Sequence, residues 1–211
     1  MAIQKQFELG KWGVDKCVEL FFQNKKYWLT DTITKKDISE NDILKKLIRN
    51  IYDTKKWEEK WEEEKKLYKY RDYGNSPQST NSIHIMLQKY KGDILLSQNN
   101  HIMSTEIKAE RNNPNDNFFI ETYSNKKWGK IGWLFDLDVD WLFYCFQKKK
   151  RETHEVIYKM KFDEMKKYSI KNRHKYREIE QTKNKQPNDT WGLLIPIKHF
   201  FENITISEHL I

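Results

Sequence analysis

The sequence predicts an α/β domain: a central mixed sheet of about four to five strands flanked by helices, with a helical insertion at about residues 37–72. Three observations carry this reading. Residues 92–110, GDILLSQNNHIMSTEIKAE, alternate on both sides of Asn99-Asn100 as a β-hairpin does. Apolar stripes at helical spacing recur at Val14, Cys17, Val18, Phe21 and Phe22, and at Ile43, Leu44, Leu47, Ile48 and Ile51. Two further apolar runs, Asp140 to Phe146 and Val156 to Phe162, have strand length.

In chain order, residues 7–28 read as a glycine-punctuated turn followed by the first helix. Tyr27 to Ile33 is a short strand. Ser39 to Asp53 is a helix, with Ser39 and Asp42 as its capping box. Lys55 to Tyr70 is a highly charged helix with Trp57, Trp61 and Tyr68 along one side. Residues 74–82, GNSPQSTNS, form a polar loop that runs into Ile83 to Tyr90 and the Gly92-Asp93 corner. After the hairpin, NNPNDN at 112–117 is a turn. Asn117 to Ser124 is the next strand and carries Glu121. The strand at Asp140 to Phe146 begins with an acid read as structural. Asp163 to Lys171 is a short basic helix. Trp191 to Ile197 contains Pro196, which marks an edge strand or extended cover, and a small helix follows at His199 to Glu202.

The 211 residues suit one domain spanning 1–211. The start, MAIQKQFELGKWG, lacks the apolar run of a secretory leader, and no stretch approaches 18 uninterrupted apolar residues. Two cysteines, Cys17 and Cys145, are too few for a disulfide framework and are expected to be reduced core residues. These features point to a soluble cytoplasmic protein with no membrane partner. No C-x-x-C or H-E-x-x-H spacing supports zinc. The absence of Walker A and Rossmann glycine patterns excludes a nucleotide cofactor, and no G-x-S-x-G elbow supports a serine hydrolase. The net charge is +8, and residues 148–177 alone hold 12 Lys/Arg against 4 Asp/Glu. Such a concentrated basic segment, extending to about 185, is the footprint of a nucleic-acid binder; Lys148, Lys149, Lys150 and Arg151 are its densest run.

The hairpin carries the chemistry. A two-residue loop at Asn99-Asn100 pairs Gln98 with His101 and sets Asp93 across from Glu106; a symmetric four-residue loop does the same, and a three- or five-residue loop would put the two on a diagonal. Period 2 turns Ile94, Leu96, Met103, Thr105, Ile107 and Ala109 to one face, and Asp93, Glu106 and Lys108 to the other. Opposed carboxylates repel unless a cation lies between them. Mg²⁺ takes oxygen ligands from one or two carboxylates plus water and phosphate. Lys108 would orient or help deprotonate a water, or neutralise charge on the phosphate. Glu121, in a neighbouring strand, is a further candidate for metal or water.

Gly92-Asp93, a twelve-residue gap and Glu106-Ile107-Lys108 together resemble the PD-(D/E)xK motif of restriction-endonuclease-like nucleases, with Gly92 where the motif has Pro. Other D/E-x-K triplets, at Asp53, Glu58, Glu63, Glu64 and Glu164, lack the strand context. The IE-bearing strand, the Gly132-Trp133 turn and Asp140 before an aromatic strand are similar to phage-type members. The resemblance implies a restriction-endonuclease-like core and Mg²⁺-dependent DNA endonuclease activity, with Mn²⁺ able to substitute. Asp93, Glu106 and the carbonyl of Ile107 would hold the metal, and Lys108 would assist the attacking water. The family's first helix often brings an acid to the metal, for which Asp15 and Glu19 are the candidates. Double-strand cutting would imply a homodimer. The alternatives are a non-catalytic nucleic-acid-binding or assembly protein on the same fold, and a nuclease directed at RNA or junctions.

Overall fold

The computed structural model of the chain describes residues 2–52, 80–112, 115–147, 154–181 and 189–211. Helix α1 (Ala2–Cys17) runs into a five-residue π-turn (Val18–Phe22) and strand β1 (Tyr27–Leu29). Helices α2 (Lys35–Glu40), α3 (Asp42–Tyr52) and α4 (Thr80–Lys91) precede the hairpin β2 (Ile94–Gln98) and β3 (His101–Glu110). Then come β4 (Asn117–Asn125), β5 (Lys130–Ile131), α5 (Trp133–Asp136), β6 (Trp141–Phe146) and β7 (Val156–Lys161). Helix α6 (Phe162–Lys171), β8 (Glu178–Glu180), β9 (Trp191–Pro196), α7 (Ile197–Asn203) and β10 (Ile206–Leu210) complete the order.

The molecule is α/β, with a mixed six-stranded sheet ordered β1-β2-β3-β6-β7-β10 and flanked by helices. β3 and β6 are parallel, while the other neighbours in this sheet are antiparallel. A second, antiparallel sheet is ordered β5-β4-β9-β8. This exceeds the expected four to five strands, because β10 extends the main sheet and β4 and β9 pair with each other. The reason lies in β6: Leu142, Phe143, Tyr144, Cys145 and Phe146 are all buried, so both faces need cover. Phe118, Ile120, Leu193 and Ile195 supply it on one face, against Leu142, Tyr144, Phe146 and Tyr158. Trp191–Pro196 is therefore an inner strand, which corrects the expected edge position. Pro196 is tolerated because it is the strand's last residue and leads directly into α7.

On the other face, α1 and its π-turn cover Ile94, Leu96, Ile107, Phe143 and Cys145. Helix α1 is continuous through Gly10 and Gly13 rather than beginning after a glycine turn. Gly13 serves close approach: a Cβ there would stand 2.9 Å from Ala109 Cβ and 3.3 Å from Ile107 Cγ2. The same contact seats Cys17 beside Cys145, both free and buried, with their Sγ atoms 3.7 Å apart.

Helices α2, α3 and α4 form a third layer around Trp28, Leu44, Ile48, Met86 and Leu95. The single helix expected at 39–53 is two helices, divided at Asn41. The capping box is Thr34 with Asp37, not Ser39 with Asp42. Ser39 is spent inside α2, where its hydroxyl donates to Lys36 O, and Asn41 Oδ1 caps α3 by accepting from Leu44 N. The polar stretch 74–82 is partly helical, since α4 starts at Thr80. The expected helix Lys55 to Tyr70, most of the insertion, and the run Lys148 to Arg151 lie outside the described residues. Among the described residues, no helix is long and apolar enough to cross a membrane.

The two glycines of α1 separate packing from propensity. Gly13→Val is expected to lower stability by about 1–3 kcal/mol through overpacking. Gly10, where a Cβ meets nothing within 4 Å, should gain about 0.5–1 kcal/mol as Gly10→Ala. Urea unfolding midpoints of the two variants would check both signs.

Candidate active site

The hairpin forms in the predicted register, with Gln98 opposite His101 and Ile94 opposite Thr105. Asn99 and Asn100 adopt φ +49° and +61°, the left-handed pair of a tight hairpin turn. Asp93 itself lies one residue outside the ladder. Helix α4 ends as Gly92 N donates to Gln88 O at 3.2 Å, and Gly92 swings the chain at φ +69°. Proline is confined near φ −65°, so the motif's usual residue does not fit this corner. Any Cβ at position 92 would also meet Thr105 O at 2.6 Å and Glu106 Oε2 at 2.9 Å.

The corner leaves β3 unpaired on that edge beyond Thr105. Asp93 fills the gap: its N–H donates to Thr105 O at 2.8 Å, and its Oδ2 accepts from Ile107 N at 2.8 Å. The N–H and C=O of a strand residue leave on the same edge, so the Ile107 carbonyl also points to the Asp93 side. Burial, then the charge of Glu106, push the Asp93 carboxyl up to about 7.

Glu106 and Lys108 lie on the opposite face of β3 from Ile107, which packs under α1. In the parallel register Glu106 neighbours Leu142 and Lys108 neighbours Tyr144. Both side chains therefore lie between the α2–α4 layer and the second sheet. Glu106 Oε1 is 2.5 Å from Lys108 Nζ, and the two side chains keep 8 % and 30 % exposure. The ammonium is also 5.4 Å from the Trp133 ring centroid. Burial pulls the Lys108 pKa down, but the charges of Glu106 and Asp93 outweigh it and the net shift is upward. The lysine is thereby held as a cation, which favours its donor role over that of a base.

Glu121 comes into this group from β4, in the second sheet. Its Oε1 accepts from Trp133 N at 3.3 Å. Burial raises its pKa, Lys108 opposes the rise, and Glu106 adds to it. The structure thus brings Asp93, Glu106, Lys108 and Glu121 together around the open edge of β3. Trp133, over the lysine, was not foreseen as a site residue; its signal was the Gly132-Trp133 turn after a strand acid.

Asp15 and Glu19 are not brought in. Both are exposed, on a helix covering the opposite face of the sheet, and Glu19 pairs with Lys16 at 3.4 Å. The helix turns its apolar stripe, not its acids, to the sheet. Asp140 is structural: its Oδ2 accepts from Ser104 N at 2.7 Å and Ser104 Oγ at 3.0 Å where β6 begins beside β3. Within the basic segment, Lys161, Lys167 and Arg173 pair with Glu164, Asp163 and Glu178. Lys166 donates to Phe135 O and Leu137 O. These four cations of the segment are thus engaged with the fold, while Lys171, Lys175 and Arg177 are exposed.

Among the described residues, no three His, Cys, Asp or Glu side chains are grouped as metal ligands. Asp93 and Glu106 with the Ile107 carbonyl make a hard oxygen set, which suits Mg²⁺ when water and phosphate complete its shell. Three carboxylates share one lysine; burial first, and then the charge of Glu106, raise the carboxyls of Asp93 and Glu121. These residues fit a divalent cation. No family model, curated protein or solved structure matches the chain.

The raised Asp93 pKa has a stability consequence in EDTA-treated protein. Its folded value, about 7, lies above its ordinary 3.8. The associated stability is full below pH 4 and is lost as pH rises to about 7, by up to about 4 kcal/mol. Asp93→Asn, which can still accept from Ile107 N, should flatten that part of the stability–pH curve. Thermal melts of both proteins between pH 4 and 8 would check it; parallel curves would contradict it.

Proposed function

We propose that this chain is a Mg²⁺-dependent endonuclease that hydrolyses DNA phosphodiester bonds, on a restriction-endonuclease-like core. The observation that carries the reading is the placement of two buried carboxylates, Asp93 and Glu106, side by side at the open edge of a strand that also presents Lys108. The hydrogen bond from Ile107 N accounts for one oxygen of Asp93, but it does not offset the repulsion from Glu106 beside it. A cation site does, because the repulsion reverses when the metal binds.

In this reading Asp93, Glu106 and the Ile107 carbonyl hold the metal. When bound, the cation supplies positive charge to the phosphate and acidity to water. Asp93 is fixed by its bond to Ile107 N, so one carboxylate is set before substrate arrives. Lys108, held by Glu106 and the Trp133 ring, donates to the attacking water or to a phosphate oxygen on which charge develops. Glu121 adds negative field at Lys108 and so helps keep it charged. The surrounding apolar layers limit water around the group, which strengthens each of these interactions.

Cleavage of supercoiled plasmid with Mg²⁺ or Mn²⁺ tests the reading. Asp93→Ala, Glu106→Ala and Lys108→Ala should each lower the rate at least about 100-fold, and EDTA should abolish it. Undiminished cleavage in the Asp93 or Glu106 variant would overturn the site. Independently of turnover, Mg²⁺ should raise the melting temperature more at pH 8 than at pH 5, because protonation of Asp93 competes with the metal. An equal shift at both pH values would count against Asp93 as a ligand.

A further inference from the structure

The hairpin that brings Glu121 to the site ends in an unusual tip. Strands β4 and β5 pair Tyr123 with Ile131 and Asn125 with Lys130. The turn between them reads Lys126-Lys127-Trp128-Gly129, and no acid occurs between Glu121 and Asp136. Trp128 is 70 % exposed, although tryptophan is among the more costly side chains to leave in water.

The exposure is not that of a loose loop. Trp128 N donates to Asn125 Oδ1 at 3.2 Å and Gly129 N to Lys126 O at 3.0 Å. Lys126 is drawn inward, its ammonium 3.7 Å from the Trp191 ring centroid and 3.4 Å from Glu178 Oε2. Its N–H also donates to Asp189 O at 2.8 Å, and Thr190 Oγ donates to Ser124 O at 3.2 Å. The second sheet thus braces the turn and leaves the indole outside. Lys127 is exposed beside it, and Lys130 at the tip's base lies close enough to Glu121 to act on its charge.

The strand bulges between Glu121 and Asn125, so this stretch spans at most about 13 Å, no more than about four stacked nucleotide steps at about 3.4 Å each. A rigid, outward indole flanked by lysines at this reach has the chemistry of a base-stacking platform. In a duplex both faces of every internal base are already stacked. A lone ring at a turn therefore finds its partner in an unpaired base.

We propose that the β4–β5 tip binds single-stranded DNA, with Trp128 stacking on an unpaired base and Lys127 and Lys130 holding flanking phosphates. The strand so held runs on to the Glu106–Lys108 group; this part rests on the nuclease reading above, but the contact itself needs no metal. The partner is a strand with unpaired bases, such as a single-stranded tail or a bubble.

The test is binding in EDTA, where no cleavage occurs, read by fluorescence anisotropy of an end-labelled single-stranded oligonucleotide of about twenty nucleotides and of its blunt duplex. Trp128→Ala should weaken single-strand binding about ten-fold or more and duplex binding less than about two-fold. Trp128→Phe should restore most of the loss, since a smaller ring still stacks. The paired variant Lys127→Ala, Lys130→Ala should flatten the salt dependence. Unchanged single-strand affinity in Trp128→Ala, an equal loss on duplex, or no single-strand binding by the wild type would overturn the proposal. Trp128-dependent binding without any metal-dependent cleavage would uphold the tip and sink the nuclease reading. Cleavage with no effect of Trp128 would do the reverse.

Discussion

The centre of this molecule depends on β3 changing its neighbour at Thr105: it pairs with β2 from His101 to Thr105 and with β6 from Thr105 to Glu110, so its β2-side edge is open beyond Thr105. β2 stops at Ile94 because Gly92 turns the chain, and from there a side-chain carboxylate, not a strand, meets the backbone of β3. A strand edge left bare inside a protein costs unsatisfied hydrogen bonds. Asp93 removes part of that cost and in doing so becomes buried beside Glu106. The hydrogen bond that completes the sheet and the repulsion that defines the candidate site are thus two sides of one placement.

The three layers around the sheet follow from the same strand. Ile107 points to α1 and fixes the closeness set by Gly13, while Glu106 and Lys108 point the other way. That second face is shared between a helical layer over β2 and a sheet over β6. The polar group occupies the seam between the two apolar covers, where burial is deep enough to shift acids and open enough to leave Lys108 at 30 % exposure. Its members come from a helix-to-strand corner, a central strand and a strand of the second sheet. Their relative positions are therefore held by sheet pairing and packing rather than by loop conformation.

Much of this was legible in the residues. Alternation about Asn99-Asn100 gave the register to the residue, because the turn chemistry and the period agree. The acids and lysine of the hairpin fell on one side for the same reason. What was not legible needed contacts distant in sequence. The second sheet forms because β4 finds β9, about seventy residues on, and no local signal separates that from joining the main sheet. Asp15 and Glu19 were placed by analogy with a first helix, but the stripe of Cys17 and Val18 decides which side of that helix is inward, and it leaves both acids in water. The capping box at Thr34 was missed because Ser39 and Asp42 had the same spacing one turn later.

The pairing of β4 with β9 and of β7 with β10 also sets an order of events. Translation delivers Asp93, Glu106, Lys108 and Glu121 at mid-chain, within one stretch of about thirty residues. The strand that steadies Glu121 emerges only some seventy residues later, and the strand that closes the main sheet later still. Non-local pairings of this kind form slowly, after their loops have closed. A nascent chain therefore carries Asp93, Glu106 and Lys108 in a local hairpin well before β9 can steady Glu121 beside them, so the group is completed in two stages.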